Sequence, residues 1–124
     1  MVVGLGVDLV EIGRVREALD RWGERLVAKL MDRGEAADLP ATPDRARALA
    51  FAIAGKEAVS KALGTGWTHG VAWRQVVVDP GPPASARLHG RAREVARALG
   101  SGGGGTLTLE ARGDLVLAEY RLFG

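Results

Sequence analysis

The chain has 124 residues, of which 47% are hydrophobic and 26% charged, a composition typical of one globular domain spanning 1–124. It contains no cysteine, which excludes disulfides, thiolate metal sites and cysteine nucleophiles. A net charge of +2 is too small to predict nucleic acid as a partner, and no apolar segment approaches the roughly 20 residues that span a membrane. With no signal-peptide pattern either, we expect a cytoplasmic protein.

The first predicted element is a strand over 2–10, whose two faces differ in composition. One face is apolar, whereas the other carries Gly4, Gly6 and Asp8. Two glycines beside an aspartate predict that another element packs very close to this face.

The second predicted element is a helix over 11–22 with a regular apolar stripe. Arg14 and Arg21 lie on the opposite face, joined by Arg25 if the helix continues past Gly23. Such a row is either a solvated face or a docking surface for an acidic partner, and the sequence leaves both interpretations open.

Short helices are predicted over 26–39, with a break at Gly34. Thr42 as N-cap and Pro43 in the first turn then predict a long helix from Pro43 to Leu63. The second half of the chain predicts strands over 73–79 and 86–89, a helix over 91–99, a glycine-rich linker over 101–105, and a hairpin of strands over 106–110 and 115–122. Strands at both ends with helices between them indicate an α+β fold class.

The long helix changes from an uncharged to a charged sequence shortly before Glu57. Residues 48–55 carry no charge, and Glu57 continues the line of Leu49 and Ile53 along the helix. A carboxylate on such a line is costly to bury unless it is paired or holds a metal. Lys61 lies one turn further on, so the residues alone allow either a Glu57–Lys61 salt bridge or a metal site.

Two acids and two lysines are the candidate chemical groups of the chain. Asp8 stands near a strand end, and Glu57 lies on the long helix with Lys56 and Lys61 close by. Carboxylate oxygens are the ligands that magnesium prefers, and ammonium groups neutralise phosphate charge. This set therefore predicts a magnesium site that holds a polyphosphate.

Two segments resemble the signature motifs of one enzyme family. Gly6–Ile12, GVDLVEI, followed by Arg14, resembles the opening motif of the holo-[acyl-carrier-protein] synthases, the short phosphopantetheinyl transferases. Lys56–Gly66, KEAVSKALGTG, resembles their second motif at the usual interval, and Gly70 followed by valine also agrees. The resemblance covers essentially the whole chain and implies a phosphopantetheinyl transferase-like fold, with an antiparallel sheet packed on a long central helix.

The resemblance implies a reaction. In this family magnesium positions the pyrophosphate of coenzyme A, a serine of apo-acyl carrier protein attacks phosphorus, and adenosine 3′,5′-bisphosphate leaves. On this chain Asp8 and Glu57 would bind the metal, and Lys61 would neutralise phosphate charge. Lys56 is a weaker phosphate candidate, because it points about 100° away from Glu57 around the helix. The acceptor of the serine proton stays open between Glu57 and a water on the metal.

Further binding contacts follow from the same resemblance. Gly64, Thr65 and Gly66 would let the nucleotide approach the backbone closely. Arg14 and Arg21 would dock the acidic acyl carrier protein.

The resemblance also implies a homotrimer with sites in the clefts between subunits. Shared burial in such an assembly would account for four apolar residues that look exposed: Trp67, Trp73, Leu115 and Leu117.

Two positions depart from the family pattern. Ala52 stands where an arginine is common, and Leu109-Glu110-Ala111 replaces a frequent Ser-His pair. These departures put details of cofactor or carrier contact in question. The alternative function is a non-catalytic module of the same fold that binds an acidic carrier protein.

Overall fold

The longest helix lies at the centre of the structure, a computed structural model that describes residues 1–102 and 104–124. Within that part of the chain the elements are, in order, β1 (Val2–Glu11), α1 (Ile12–Trp22), α2 (Glu24–Leu30), α3 (Arg33–Asp38), α4 (Arg45–Leu63), a 3₁₀ turn (Trp73–Gln75), β2 (Val76–Asp79), β3 (Ser85–Leu88), α5 (Gly90–Ala98), β4 (Gly104–Arg112) and β5 (Leu115–Phe123). The predicted α+β class is confirmed. None of the helices among the described residues is long and apolar enough to cross a membrane.

The main sheet has the order β1-β5-β4, with every pair antiparallel, and one of its faces packs on α4. The two glycines of β1 make this contact possible. A Cβ atom added at Gly4 would lie 2.3 Å from the carbonyl oxygen of Ala62, and one added at Gly6 would lie 1.8 Å from that of Ala58. The predicted close approach is confirmed. Because side chains alternate along a strand, Asp8 is on the same face as the glycines and therefore faces α4.

The hydrophobic core surrounds α4. Leu49, Ala54 and Val59 are fully buried there, together with Val76 of β2 and Val116 of β5. The small sheet β2-β3 and helix α5 also pack against α4, as does α1. In the uncharged segment 48–55 of α4 no residue is fully exposed, although Ala48, Phe51 and Ile53 are only partly buried, so the predicted burial on every side is met in part.

Several predicted boundaries are wrong. Gly34 does not break a helix but lies inside α3, and the break falls at Asp32, whose carboxylate accepts a hydrogen bond from Glu35 N of 2.8 Å. The long helix begins at Arg45 with Asp44 as N-cap, so neither Thr42 nor Pro43 has the predicted place in it.

Other boundaries shift because of local turns. Gly23 has φ 55°, which ends α1 and places Arg25 in α2 instead of on the same row as Arg14. The predicted strand over 73–79 starts at Val76, after the 3₁₀ turn. The predicted linker over 101–105 is shorter, since Gly104 already belongs to β4, and its residue 103 lies outside the described residues.

Candidate active site

Asp8 and Lys61 meet where β1 lies on the last turns of α4. Lys61 Nζ donates hydrogen bonds to Asp8 Oδ1 at 2.9 Å and to the carbonyl oxygen of Val7 at 3.1 Å. The hydrogen bond to Asp8, with the charges of Asp8 and Glu57, raises the pKa of Lys61 despite some desolvation. The Lys61 side chain remains 51% exposed, so a protonated ammonium group is held at this spot within reach of a ligand.

Glu57 lies one turn before Lys61 and is half-buried. Its Oε1 atom accepts a hydrogen bond of 3.1 Å from Trp67 Nε1. The ion pair of Lys61 is formed with Asp8, so the Glu57–Lys61 salt bridge that the spacing allowed does not occur among the described residues. Glu57 is nevertheless close enough for its charge to contribute to the raised pKa of Lys61.

The two carboxylates fit a magnesium ion. In each of them one oxygen accepts a hydrogen bond, Oδ1 of Asp8 and Oε1 of Glu57, while the second oxygen has no hydrogen-bond partner among the described residues. No cluster of three or more acidic, histidine or cysteine ligands occurs in that part of the chain. Magnesium commonly uses one or two carboxylates and completes its shell with water and substrate phosphates, so two acids suffice.

The segment after α4 leaves open backbone beside Lys61. Gly64 and Gly66 have φ values of 78° and 55°, a conformation that favours glycine, and no atom lies within 4 Å of where a Cβ atom would stand on either. The amide of Gly66 is bound to the carbonyl oxygen of Ser60 at 3.2 Å, which folds the segment back on the helix end. Thr65, between the glycines, is partly buried.

Lys56 is placed differently from the prediction. It is fully buried, and its Nζ atom donates to Glu35 Oε1 at 2.9 Å, to the carbonyl oxygen of Trp73 at 3.1 Å and to that of Val76. Burial lowers the pKa of Lys56, opposed by the hydrogen bond and the charge of Glu35. With all three N–H donors used inside the protein, Lys56 has none left for a cofactor, and the predicted contact is corrected on that ground.

Glu35 is the residue that sequence reasoning missed. It is buried, and its second oxygen accepts from the backbone N–H of Val78 at 3.0 Å, so it joins α3, α4 and β2. The available signal was the spacing of Asp32 and Glu35, which form a capping box at the start of α3.

The arginines of α1 are free to meet a partner. The Arg14 side chain is 80% exposed, and its only ion pair in the described residues is with Glu11 at 3.6 Å. Arg21, in the last turn of α1, is also exposed. Both cations therefore lie on the surface, where the prediction requires them.

The four apolar residues expected to look exposed divide into two pairs. Leu115 and Leu117 are 39% and 43% exposed on β5. Trp67 and Trp73 are instead partly buried against the core, with their rings stacked at 4.0 Å between centroids. That part of the expectation is wrong, because the two tryptophans cover each other.

The two departures from the family pattern occupy separate places. Ala52 is buried on α4 in the wall of a cleft that α3 and β2 also line. Leu109, Glu110 and Ala111 lie in β4, where Glu110 is exposed and bound by Arg112 at 2.9 Å.

Comparison with known proteins shows the family of the chain. A sequence profile of the 4′-phosphopantetheinyl transferase superfamily matches residues 4–116. The holo-[acyl-carrier-protein] synthase of Alkalilimnicola ehrlichii is 48% identical over 107 residues, which cover 83% of each chain.

Two crystal structures share the fold. That of the Neisseria meningitidis holo-[acyl-carrier-protein] synthase has a TM-score of 0.85 at 24% identity, covering 100% of both chains. That of the Helicobacter pylori enzyme, in complex with coenzyme A, has a TM-score of 0.77 at 18% identity, covering 96% of this chain and 99% of that one. The predicted family is thus confirmed, and the chain belongs to the 4′-phosphopantetheinyl transferase superfamily.

Proposed function

We propose that the protein transfers the 4′-phosphopantetheine group of coenzyme A to a serine of an apo-acyl carrier protein, releasing holo-carrier and adenosine 3′,5′-bisphosphate. The observation that carries this proposal is the meeting of Asp8, Glu57 and Lys61 beside the open glycine segment, in a chain of this superfamily. We also propose the cytoplasm as its compartment, in keeping with a chain that has no cysteine.

Asp8 and Glu57 are the residues that would hold magnesium, each through the oxygen that has no hydrogen bond in the described part of the chain. A bound magnesium ion supplies positive charge to the pyrophosphate of coenzyme A. Asp8 is on β1 and Glu57 is on α4, and the close glycine contacts hold these two elements together. The separation of the two carboxylates is therefore set before the substrate binds.

Lys61 supplies the second positive charge. An ammonium group has three N–H donors, and Lys61 uses two of them on Asp8 and Val7. The third is free to bind a phosphate oxygen as the bond to the leaving nucleotide breaks.

The acidic carrier protein docks on α1 in this proposal. Arg14 and Arg21 present exposed cations there, and complementary charge of this kind speeds encounter with an acidic partner. A non-catalytic carrier-binding module would use the same arginines but would leave the convergence of Asp8, Glu57 and Lys61 without a role.

We further propose a homotrimer. The sheet face turned away from α4 presents an apolar patch of Leu5, Val7, Leu9, Leu115 and Leu117, which are 57%, 47%, 58%, 39% and 43% exposed. Contiguous exposed apolar surface of this kind marks an interaction site. A closed ring of three copies would cover it. Sedimentation should give a trimer, and Leu117→Arg should dissociate it; a fully active monomer at assay concentration would contradict this assembly.

The direct test is transfer itself. Apo-carrier protein is incubated with coenzyme A, magnesium and the protein, and the mass of the carrier is measured. We expect the wild type to add phosphopantetheine, and Asp8→Asn or Glu57→Gln to reduce the rate about 10²- to 10³-fold without unfolding. Glu110→Gln, which alters an exposed carboxylate of the same sheet, is the matched control. Near wild-type transfer by either acid variant would refute the assignment.

A further inference from the structure

The side-chain carboxylate of Glu57 accepts one hydrogen bond among the described residues, from the indole N–H of Trp67. The bond of 3.1 Å ends on Oε1 and leaves Oε2 without a partner in that part of the chain. A glutamate side chain that is otherwise free samples several rotamers, so a fixed donor selects among them. Whatever fixes Trp67 therefore also fixes the Glu57 carboxylate.

Trp67 is held on two sides. Its ring stacks on that of Trp73, with 4.0 Å between centroids and 21° between planes. The preceding residue, Gly66, is bound through its amide to Ser60, whose hydroxyl in turn donates to the carbonyl oxygen of Glu57 at 2.8 Å. The segment that carries the indole is thus tied to the same helix turn that carries the carboxylate.

The backbone of Trp73 is held by the buried ion pair of Lys56 and Glu35. Lys56 Nζ donates to the carbonyl oxygen of Trp73 at 3.1 Å and is itself bound to Glu35 at 2.9 Å. Lys56 and Glu57 are neighbours on α4 with different directions, so the buried pair and the open site lie on different sides of one helix turn. The stacked tryptophans connect these two sides.

We infer that Trp67 is a positioning residue: its indole N–H, held by the stack on Trp73, orients the Glu57 carboxylate as a magnesium ligand. This inference rests on the proposed function, since it takes Glu57 as a ligand. Hydrogen bonds to ligating side chains fix their orientation, and loss of such a partner weakens metal binding about 10- to 100-fold. Glu35, Lys56 and Trp73 support the arrangement without touching the carboxylate.

The test separates the N–H group from the ring. Trp67→Phe keeps an aromatic ring for the stack and removes the donor. Trp73→Phe makes the same change on the other ring, whose N–H makes no hydrogen bond within the described residues. Magnesium is titrated calorimetrically into each protein with coenzyme A present and carrier protein absent, so binding is measured without turnover. Thermal unfolding of the metal-free proteins serves as the folding control.

We expect Trp67→Phe to raise the apparent Kd for magnesium about tenfold or more and Trp73→Phe to stay within about threefold of the wild type. Transfer by Trp67→Phe should recover when magnesium is raised to saturation, as a positioning role requires. If Trp67→Phe does not fold, Trp67→Leu and Trp73→Leu are compared instead: both lose the ring stack, and only Trp67→Leu also loses the donor to Glu57, so it should weaken magnesium binding more.

Wild-type magnesium affinity in Trp67→Phe, or equal weakening in both variants, would overturn the inference while leaving the proposed transfer intact. A wild type that transfers nothing and binds no magnesium would overturn the proposed function and this inference with it.

Discussion

Replacing Lys56 by methionine tests whether this residue belongs to the structure or to the cofactor site. Methionine keeps an unbranched chain of similar length and removes the ammonium group. The change leaves the Glu35 carboxylate, whose side chain is 3% exposed, without its cation. It also removes the donor from the carbonyl oxygens of Trp73 and Val76.

The expected loss of stability comes from these buried groups, which would lose their hydrogen-bond donor. Removing one partner of a buried ion pair costs about 3–5 kcal/mol. Glu35 keeps two backbone donors, the N–H groups of Asp32 and Val78, which places the estimate at the lower end, about 3 kcal/mol. With an unfolding entropy of about 2.1 cal/mol/K per residue over 124 residues, Tm should fall by about 12 °C.

The assay is thermal unfolding of the metal-free protein at pH 7 and one fixed protomer concentration, because assembly makes Tm depend on concentration. Glu35→Gln should also destabilise, and the double variant should lose less than the sum of the two losses, since the groups interact. The KM for coenzyme A is measured at a temperature where Lys56→Met is folded, and it should match that of the wild type.

The same substitution at Lys61 is the matched control. The ion pair of Lys61 with Asp8 is half-exposed on the lysine side, so Lys61→Met should change Tm little. It should instead lose most of the transfer activity. If Lys56→Met kept the wild-type Tm and raised the KM for coenzyme A, Lys56 would be a phosphate ligand, and the structural role derived from its burial would be refuted.

Three other outcomes are expected. Gly6→Ala should destabilise by about 3 kcal/mol, since its Cβ would stand 1.8 Å from the carbonyl oxygen of Ala58; a Tm within 2 °C of the wild type would contradict this. Arg14→Ala should raise the KM for carrier protein, and weaken the salt dependence of that KM, more than Arg16→Ala does. The KM for coenzyme A should stay unchanged in both variants. Equal changes of the carrier KM in the two variants would argue against docking through Arg14. Burial raises the pKa of Tyr120, so above pH 10.0 the folded state keeps the phenol proton while the unfolded state loses it, and stability falls as pH rises. Tyr120→Phe should therefore lose less stability than the wild type between pH 9 and pH 11 in denaturant titrations. Parallel curves of stability against pH for the two proteins would refute the assignment.

The proposed magnesium ligands could be inferred from the sequence because their surroundings leave a local signature. Gly4 and Gly6 make the face of β1 that carries Asp8 flat enough to lie on α4, and the structure confirms that contact. Glu57 and Lys61 are one turn apart on a single helix, so their proximity follows from helix geometry. The pairing of Lys61 with Asp8 does not follow from helix geometry, because it depends on the register of β1 against α4, which is a tertiary property.

The position of Lys56 could not be predicted from local sequence patterns. Helix geometry points Lys56 away from Glu57, whereas its position next to Glu57 in the sequence made it a candidate for phosphate contact. Its actual partners are Glu35, 21 residues earlier, and the carbonyl oxygens of Trp73 and Val76, 17 and 20 residues later. No periodicity within one element encodes contacts between elements so far apart, and a buried lysine is too rare to be expected without them.

The neighbouring positions of Lys56 and Glu57 have a mechanical consequence. A step of one residue turns the helix by about 100°, so the Lys56 side chain enters the core while that of Glu57 reaches the proposed site. Lys56 pins α4 to α3 and to the segment of Trp73, and Trp73 supports the indole that binds Glu57. A rotation or slide of α4 that displaced Glu57 would therefore have to break a buried ion pair at the adjacent residue. The costly burial of Lys56 thus opposes the motion that would disorder the proposed metal site, because both depend on the position of the same helix turn.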